Sequence, residues 1–186
     1  MNTQFYLVIA QAPAPKHKSH EPEHIQDDFQ DQPLTSKELT QAKKLSKALK
    51  ESPIEINKIY CSPHIASIQT ADVCHDRLKI SLSAIKDLDR KDEAESEADY
   101  NSRIFNVVAE LLDLENAYLL ICPEETATLI GRHLGSAVQE WKNHTLYRFA
   151  GEPSSHSTIG KWKIAEVTTE TQSPSKTKSF KSRAAS

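Results

Sequence analysis

A three-layer α/β sandwich with a mainly parallel sheet is the fold class this sequence predicts, and three observations predict it. Short apolar runs alternate with amphipathic helical stretches along most of the 186 residues. The runs are nearly continuous, not alternating, as in strands buried on both faces of a parallel sheet. Capping signals stand where the helices should begin.

Taken in order, Phe5 to Ala10 is the first apolar run and the first strand candidate. Residues 11–32 form a long polar stretch rich in Pro, His and acids, which reads as a loop with a function or with little order of its own. Thr35-Ser36-Lys37-Glu38 has the capping-box pattern, and Leu39, Ala42, Leu45 and Leu49 follow at helical spacing. Ile54 to Cys61 is the next strand candidate. Ser62-Pro63 predicts a helix start, with serine as cap and proline in the first helical position. Ile65, Ile68, Ala71 and Cys74 or His75 would face that helix inward.

A short strand is expected over Lys79 to Leu82, and Asp87 to Asp99 reads as an exposed charged connection. Ile104, Val107, Val108, Leu111 and Leu112 mark an amphipathic helix. Ala117 to Cys122 is an apolar strand, and Pro123-Glu124-Glu125 supplies a proline and two carboxylates to a helix first turn, as the dipole prefers. Ala127, Ile130, Leu134 and Val138 would be its buried face. Leu146 to Phe149 and Ile159 to Val167 are the last strand candidates. The expected organisation is one domain over 1–168 and a disordered basic Ser/Thr/Lys tail over 169–186, where Lys176, Lys178, Lys181 and Arg183 lack acidic neighbours.

Composition narrows the function classes. Hydrophobic residues at 38% and charged residues at 26% suit a globular chain, and no apolar run approaches the roughly 20 residues that span a bilayer. Three cysteines without a leader predict a reducing, cytoplasmic setting. A formal net charge of −3 predicts no nucleic-acid binding by the whole chain. All four glycines lie beyond residue 130, which excludes a glycine-rich phosphate loop before it.

Ligands of open α/β sheets bind beyond the carboxyl ends of the strands. Ala10, Cys61 and Cys122 fall at three predicted ends, so their segments should converge on one crevice. At these residues the chain resembles the histidine phosphatase (phosphoglycerate mutase-like) superfamily, with the small SixA-type phosphohistidine phosphatases nearest in length and layout. The resemblance runs from about Phe5 to Gly135. It is carried by the first strand, by Pro33-Leu34-Thr35 with Gln41-Ala42, and most specifically by Ser62-Pro63 with Gln69-Thr70-Ala71.

That resemblance implies in-line phosphoryl transfer to a histidine, with two arginines and a second histidine holding the phosphoryl oxygens. It also implies that these four positions are Ala10 for the nucleophile, Ile9 and Ala66 for the arginines and Pro123 for the second histidine. None carries a donor or a nucleophile. Losing one preorganised donor costs on the order of 100- to 1000-fold in rate, and losing the nucleophile removes the covalent route. The expectation is therefore a chain that is not an enzyme, with no catalytic residue and no cofactor.

Other residues could carry chemistry. His17, His20 and His24 could bind zinc with Cys61 or Cys122, but their spacing matches no ligand pattern, and a solvated loop without metal is expected. Cys122 before a helix start could be a reactive thiolate, yet Glu124 and Glu125 would repel a phosphate, and a small buried residue is the simpler reading. His64, His75 and His133 read as structural or exposed, and Asp87 and Asp89 as part of a charged turn near the family's acid. Gln11, Cys61, His64 and Cys122 remain as crevice candidates for a ligand. The predicted role is a protein-interaction or regulatory module with an unidentified protein partner and no membrane insertion. The alternatives are a small-molecule binder using the crevice, or a residual phosphohistidine or phosphoester phosphatase.

Overall fold

The computed structural model of the protein describes residues 3–11, 32–114, 117–135, 140–154 and 157–167. The predicted long loop, apart from its end residues, and the predicted tail lie outside the described residues, as do His17, His20, His24 and Val138.

Six strands and four helices alternate in the predicted order. They are β1 (Thr3–Ile9), α1 (Ser36–Glu51), β2 (Lys58–Cys61), α2 (Ile65–Leu78), β3 (Ser81–Ala84), α3 (Glu97–Leu112), β4 (Tyr118–Cys122), α4 (Glu124–His133), β5 (Leu146–Ser154) and β6 (Ser157–Glu166). The sheet order is β3-β2-β4-β1-β5-β6. β2 pairs in parallel with β3 and β4, and β4 with β1; the additions of β5 and β6 are antiparallel. The sheet is thus mixed, with its parallel part where the crevice was expected.

Period-two alternation divides β1 between two cores. Phe5, Leu7 and Ile9 pack with α3 and α4, while Tyr6, Val8 and Ala10 pack with α1 and α2. Helices therefore cover both faces, which makes the three layers. Phe5 stacks between Tyr118 and Phe149, with ring centroids 5.3 and 4.6 Å away. Every residue of β4 is buried, which explains why its sequence shows no alternation.

The capping box at α1 forms as its sequence demands: the Glu38 backbone N–H reaches Thr35 Oγ1 at 3.4 Å, and Glu38 Oε2 accepts from the Thr35 backbone at 2.9 Å. The start of α2 differs from expectation. His64, not Ser62, is the N-cap, without a side-chain cap bond, and Pro63 precedes the helix. The Ser62 hydroxyl instead accepts the His64 backbone N–H at 3.2 Å, closing a turn ahead of the helix. The buried face of α2 is correspondingly shifted to Ala66, Ser67, Thr70, Ala71 and Cys74. Ile65 and Ile68 are only partly buried, and His75 is exposed. Pro123 likewise caps α4 instead of entering its first turn.

Candidate functional site

The carboxyl ends of β1, β2 and β4 meet as their sequences predict. Ala10 N–H donates to the Cys122 carbonyl at 3.1 Å, and Ser62 N–H to the Ile121 carbonyl at 2.9 Å. These bonds continue the parallel ladder past the strand ends and bring Ala10, Ser62 and Cys122 to one crevice. Ile9, Ala10 and Ala66 are at most 1% exposed, and Pro123 is buried too. Ile9 belongs to the core on one face of the sheet and Ala10 to the core on the other. The floor of the crevice is an apolar seam joining the two cores.

Cys61 and Cys122 lie in this floor at 1% and 0% exposure. Burial pushes the Cys61 thiol up to about 11, with Asp72 adding to the shift, and burial pushes Cys122 up as well. Both are protonated near neutral pH, so neither is a ready nucleophile or metal ligand. Cys74 in the core of α2 is raised to about 12 by the same cause. Among the described residues no group of three or more His, Cys, Asp or Glu side chains could hold a metal ion.

One wall of the crevice is the segment from Ile85 to Ser96, opened by a short 3-10 turn at Lys86–Leu88. Much of it is exposed, as the sequence predicts, yet it is tied to the body of the fold. Arg103 of α3 grips it from behind: Nε and Nη2 donate to Glu95 at 2.7 and 2.6 Å, and the guanidinium also reaches the carbonyls of Asp87, Asp89 and Arg90 at 2.8, 3.1 and 3.2 Å. A planar guanidinium with five donors suits this many acceptors; an ammonium could not span them. The hydrogen bonds from Arg103 hold the Glu95 carboxyl below its usual range. On the crevice side, Asp89 Oδ1 accepts the Arg90 backbone N–H at 2.9 Å and the Ser62 hydroxyl in a long 3.5 Å contact. Behind the turn, Thr126 donates to the Leu88 carbonyl at 3.3 Å and lies 3.1 Å from the Tyr100 hydroxyl, so α3, α4 and the wall share one buried polar knot.

Two grooves flank the sealed floor. One, of about 550 Å³, runs between Pro63-His64 and the wall and is lined by Asp87, Asp89, Arg90 and Arg103. The other, of about 510 Å³, lies at the start of α4 and is lined by Gln11, Arg90, Tyr100, Glu124, Glu125 and Arg132. Arg90 borders both. Burial raises the Glu125 carboxyl, against an opposing pull from Arg90.

The third side is the Asn143-His144 corner ahead of β5. Asn143 Oδ1 accepts the Gln11 backbone N–H at 3.0 Å and its Nδ2 donates to the Gln11 carbonyl at 2.7 Å, while His144 N–H donates to the Ile9 carbonyl at 2.8 Å. Of the four sequence candidates, Gln11 and His64 line grooves, whereas Cys61 and Cys122 lie in the floor. Arg90, Arg103, Asn143 and His144 were missed. An asparagine just ahead of a strand was the one local signal, since it marks turns.

The comparisons agree with this geometry. Residues 18–92 match the histidine phosphatase superfamily (branch 1) family model. A mycobacterial glucosyl-3-phosphoglycerate phosphatase is similar in structure at 14% identity and TM-score 0.65, covering 89% of this chain and 98% of its own. A phosphoglycerate mutase from Bacillus anthracis has 14% identity and TM-score 0.67, with 89% and 92% covered. The SixA protein of Agrobacterium tumefaciens, a phosphohistidine phosphatase by name, has 12% identity and TM-score 0.59, with 89% and 97% covered. No curated protein matches the chain by sequence. These findings correct the expectation that the chain is not an enzyme: the matched family and the similar structures are phosphatases or mutases, which points to enzymatic activity. The chain thus shares its fold with these phosphatases and mutases over nearly its whole length, and the stretch from residue 18 to the wall matches the histidine phosphatase superfamily (branch 1) model.

Proposed function

We propose that this chain works as a protein-interaction or regulatory module built on the histidine phosphatase fold, engaging a protein partner at the mouth of the crevice. The observation that carries the reading is the contrast between floor and walls. Ile9, Ala10, Ala66 and Pro123 are packed into the cores, while Arg90, Glu124 and Glu125 stand on an ordered framework around them. A partner meeting this mouth finds fixed charges and hydrogen-bonding groups, which give specificity and orientation. The partner and a cytoplasmic setting are both part of the proposal.

A second reading is favoured by the comparisons: turnover of a phosphohistidine or phosphoester substrate. Arg90 is the cation shared by the two grooves that such a substrate would meet. A small-molecule ligand would likewise lie in these grooves and not on the floor.

The deciding experiment compares capture of a defined partner by the wild-type chain, by the double variant Glu124→Lys/Glu125→Lys, and by Lys43→Glu on the far side of α1. The module reading expects capture lost only in the first variant. Equal capture by all three sinks it. Phosphoenzyme formation from a phosphohistidine donor, abolished by Arg90→Ala, would establish the second reading instead.

A further inference from the structure

We propose that the Asn143-His144 corner is a pH-sensitive latch on the crevice, closed when His144 is neutral and opened when its ring takes a second proton. The latch regulates the same mouth as the module reading and, as regulation of binding, rests on it.

The argument begins with the proton count. Thr70 Oγ1 donates its one hydrogen to the Ala66 carbonyl at 2.9 Å, as a threonine one turn on in a helix can. It therefore has only lone pairs to offer His144 Nε2, which lies 3.3 Å away. The neutral ring must carry its proton on Nε2 and leave Nδ1 bare. Nδ1 is buried and meets no hydrogen-bond partner among the described residues. A bare neutral acceptor there costs less than a protonated Nδ1, which would be a buried charged donor without an acceptor.

The surroundings offer that charge scant relief. From α1, Glu38 is the nearby carboxylate and favours the charged ring, but its Oε2 already accepts from the Thr35 backbone and hydroxyl, each at 2.9 Å. Lys44 of α1 lines the adjoining groove. From β6, Glu166 pairs with Lys142 at 2.9 Å. From α2 and β1 the facing groups are Thr70 and the Ile9 carbonyl, which do not titrate. Desolvation is the largest influence and holds the imidazole below its ordinary range.

The corner is also built to let go. His144 has φ 55°, a left-handed conformation that a non-glycine residue keeps only when its contacts hold it. Those contacts are the ring bond to Thr70, the backbone bond to Ile9 and the neighbouring Asn143–Gln11 pair. When the ring leaves its slot, the reason for the strained conformation goes with it, and Gln11 at the edge of the α4 groove is released.

An NMR pH titration of the full chain, following the His144 ring nitrogens and backbone amide exchange, tests the latch without any partner. The expected result is a ring that stays in the neutral Nε2–H form to a pH below the ordinary imidazole value of about 6.5. Protection of the His144 amide, corrected for intrinsic exchange, should then fall by about tenfold per pH unit between the closed-form and open-form pKa values. In His144→Asn, whose side chain tolerates the left-handed conformation and does not titrate, protection should persist at neutral pH and lose this dependence. Titration of His144 at or above the ordinary imidazole value, or protection indifferent to the ring's protonation, overturns the latch. So does a pH dependence that survives in His144→Asn. If that variant does not fold, the wild-type titration decides alone. Failure of the partner-capture experiment would count against the module and leave this titration unaffected.

Discussion

The floor of the crevice and its Arg103-gripped wall lie side by side and are held by opposite means. The floor is apolar packing: Ile9, Ala10 and Cys122 are each at most 1% exposed and continue the two cores. The wall is polar: one guanidinium binds one carboxylate and three carbonyls. Apolar packing tolerates exchange among residues of similar volume but admits no charge. A polar grip tolerates solvent but depends on a single side chain. The floor should therefore resist the introduction of charged residues, and the wall should loosen when its main grip is lost.

The severest test of that contrast is Ile9→Arg, which puts an arginine into a site buried in the α3–α4 core. An unpaired buried charge should cost about 4 kcal/mol or more and abolish a cooperative folded state at 25 °C. A stable Ile9→Arg protein in a urea titration would mean the floor is open enough for the side chain to reach water. Next is Arg103→Ala, expected to cost about 2 kcal/mol and to raise amide exchange over 86–95 while leaving β1 and β4 protected. Arg103→Lys should recover little of this, since one ammonium cannot serve carbonyls and carboxylate together. Smaller again is Thr35→Ala, which removes one half of the capping box at α1 and should cost about 1 kcal/mol without touching floor or wall.

The smallest expected effect is that of pH. Burial depresses both His133 and His144. Their folded-state pKa values lie below the unfolded ones, so their contribution is fully present above the ordinary imidazole value of about 6.5 and is lost as pH falls below it. Glu125, raised by burial, acts in the opposite sense: its cost is present at neutral pH and relieved as pH falls. The predicted outcome is a net loss of stability on acidification from neutrality to mild acid, smaller than the two histidines together would give. Denaturation midpoints that do not change over that range would contradict the burial of the two rings.

The same contrast explains what was legible in the sequence. Strands β1 and β4 announce themselves because each residue of a twice-buried strand must be apolar, and the α1 capping box because its partners are three residues apart. The convergence of Ala10, Cys61 and Cys122 followed from their places at the carboxyl ends of predicted parallel strands. The α2 face was misjudged because periodicity cannot place a helix's phase when Ala66, Ser67 and Thr70 are as deeply buried as any aliphatic residue. The wall looked like a solvated turn because its sequence is dominated by charged residues and many of them are indeed exposed. What orders it arrives from Arg103, a full helix turn into α3. The Asn143–Gln11 pair spans most of the chain, and no local pattern can reveal a contact of that kind.

The position of β1 in the sheet has a consequence for how the molecule comes into being. β1 is an inner strand with Leu119 beside Tyr6 on one edge and Arg148 on the other. During synthesis it emerges long before either neighbour exists, so its aromatic and aliphatic run must wait, unpaired, for most of the chain. Pairings this distant in sequence carry a high loop-closure cost and slow the search for the native state. A nascent chain halted after α3 would expose that run to chaperones and to its own copies, whereas release of β4 and then β5 would complete the sheet from its centre outward.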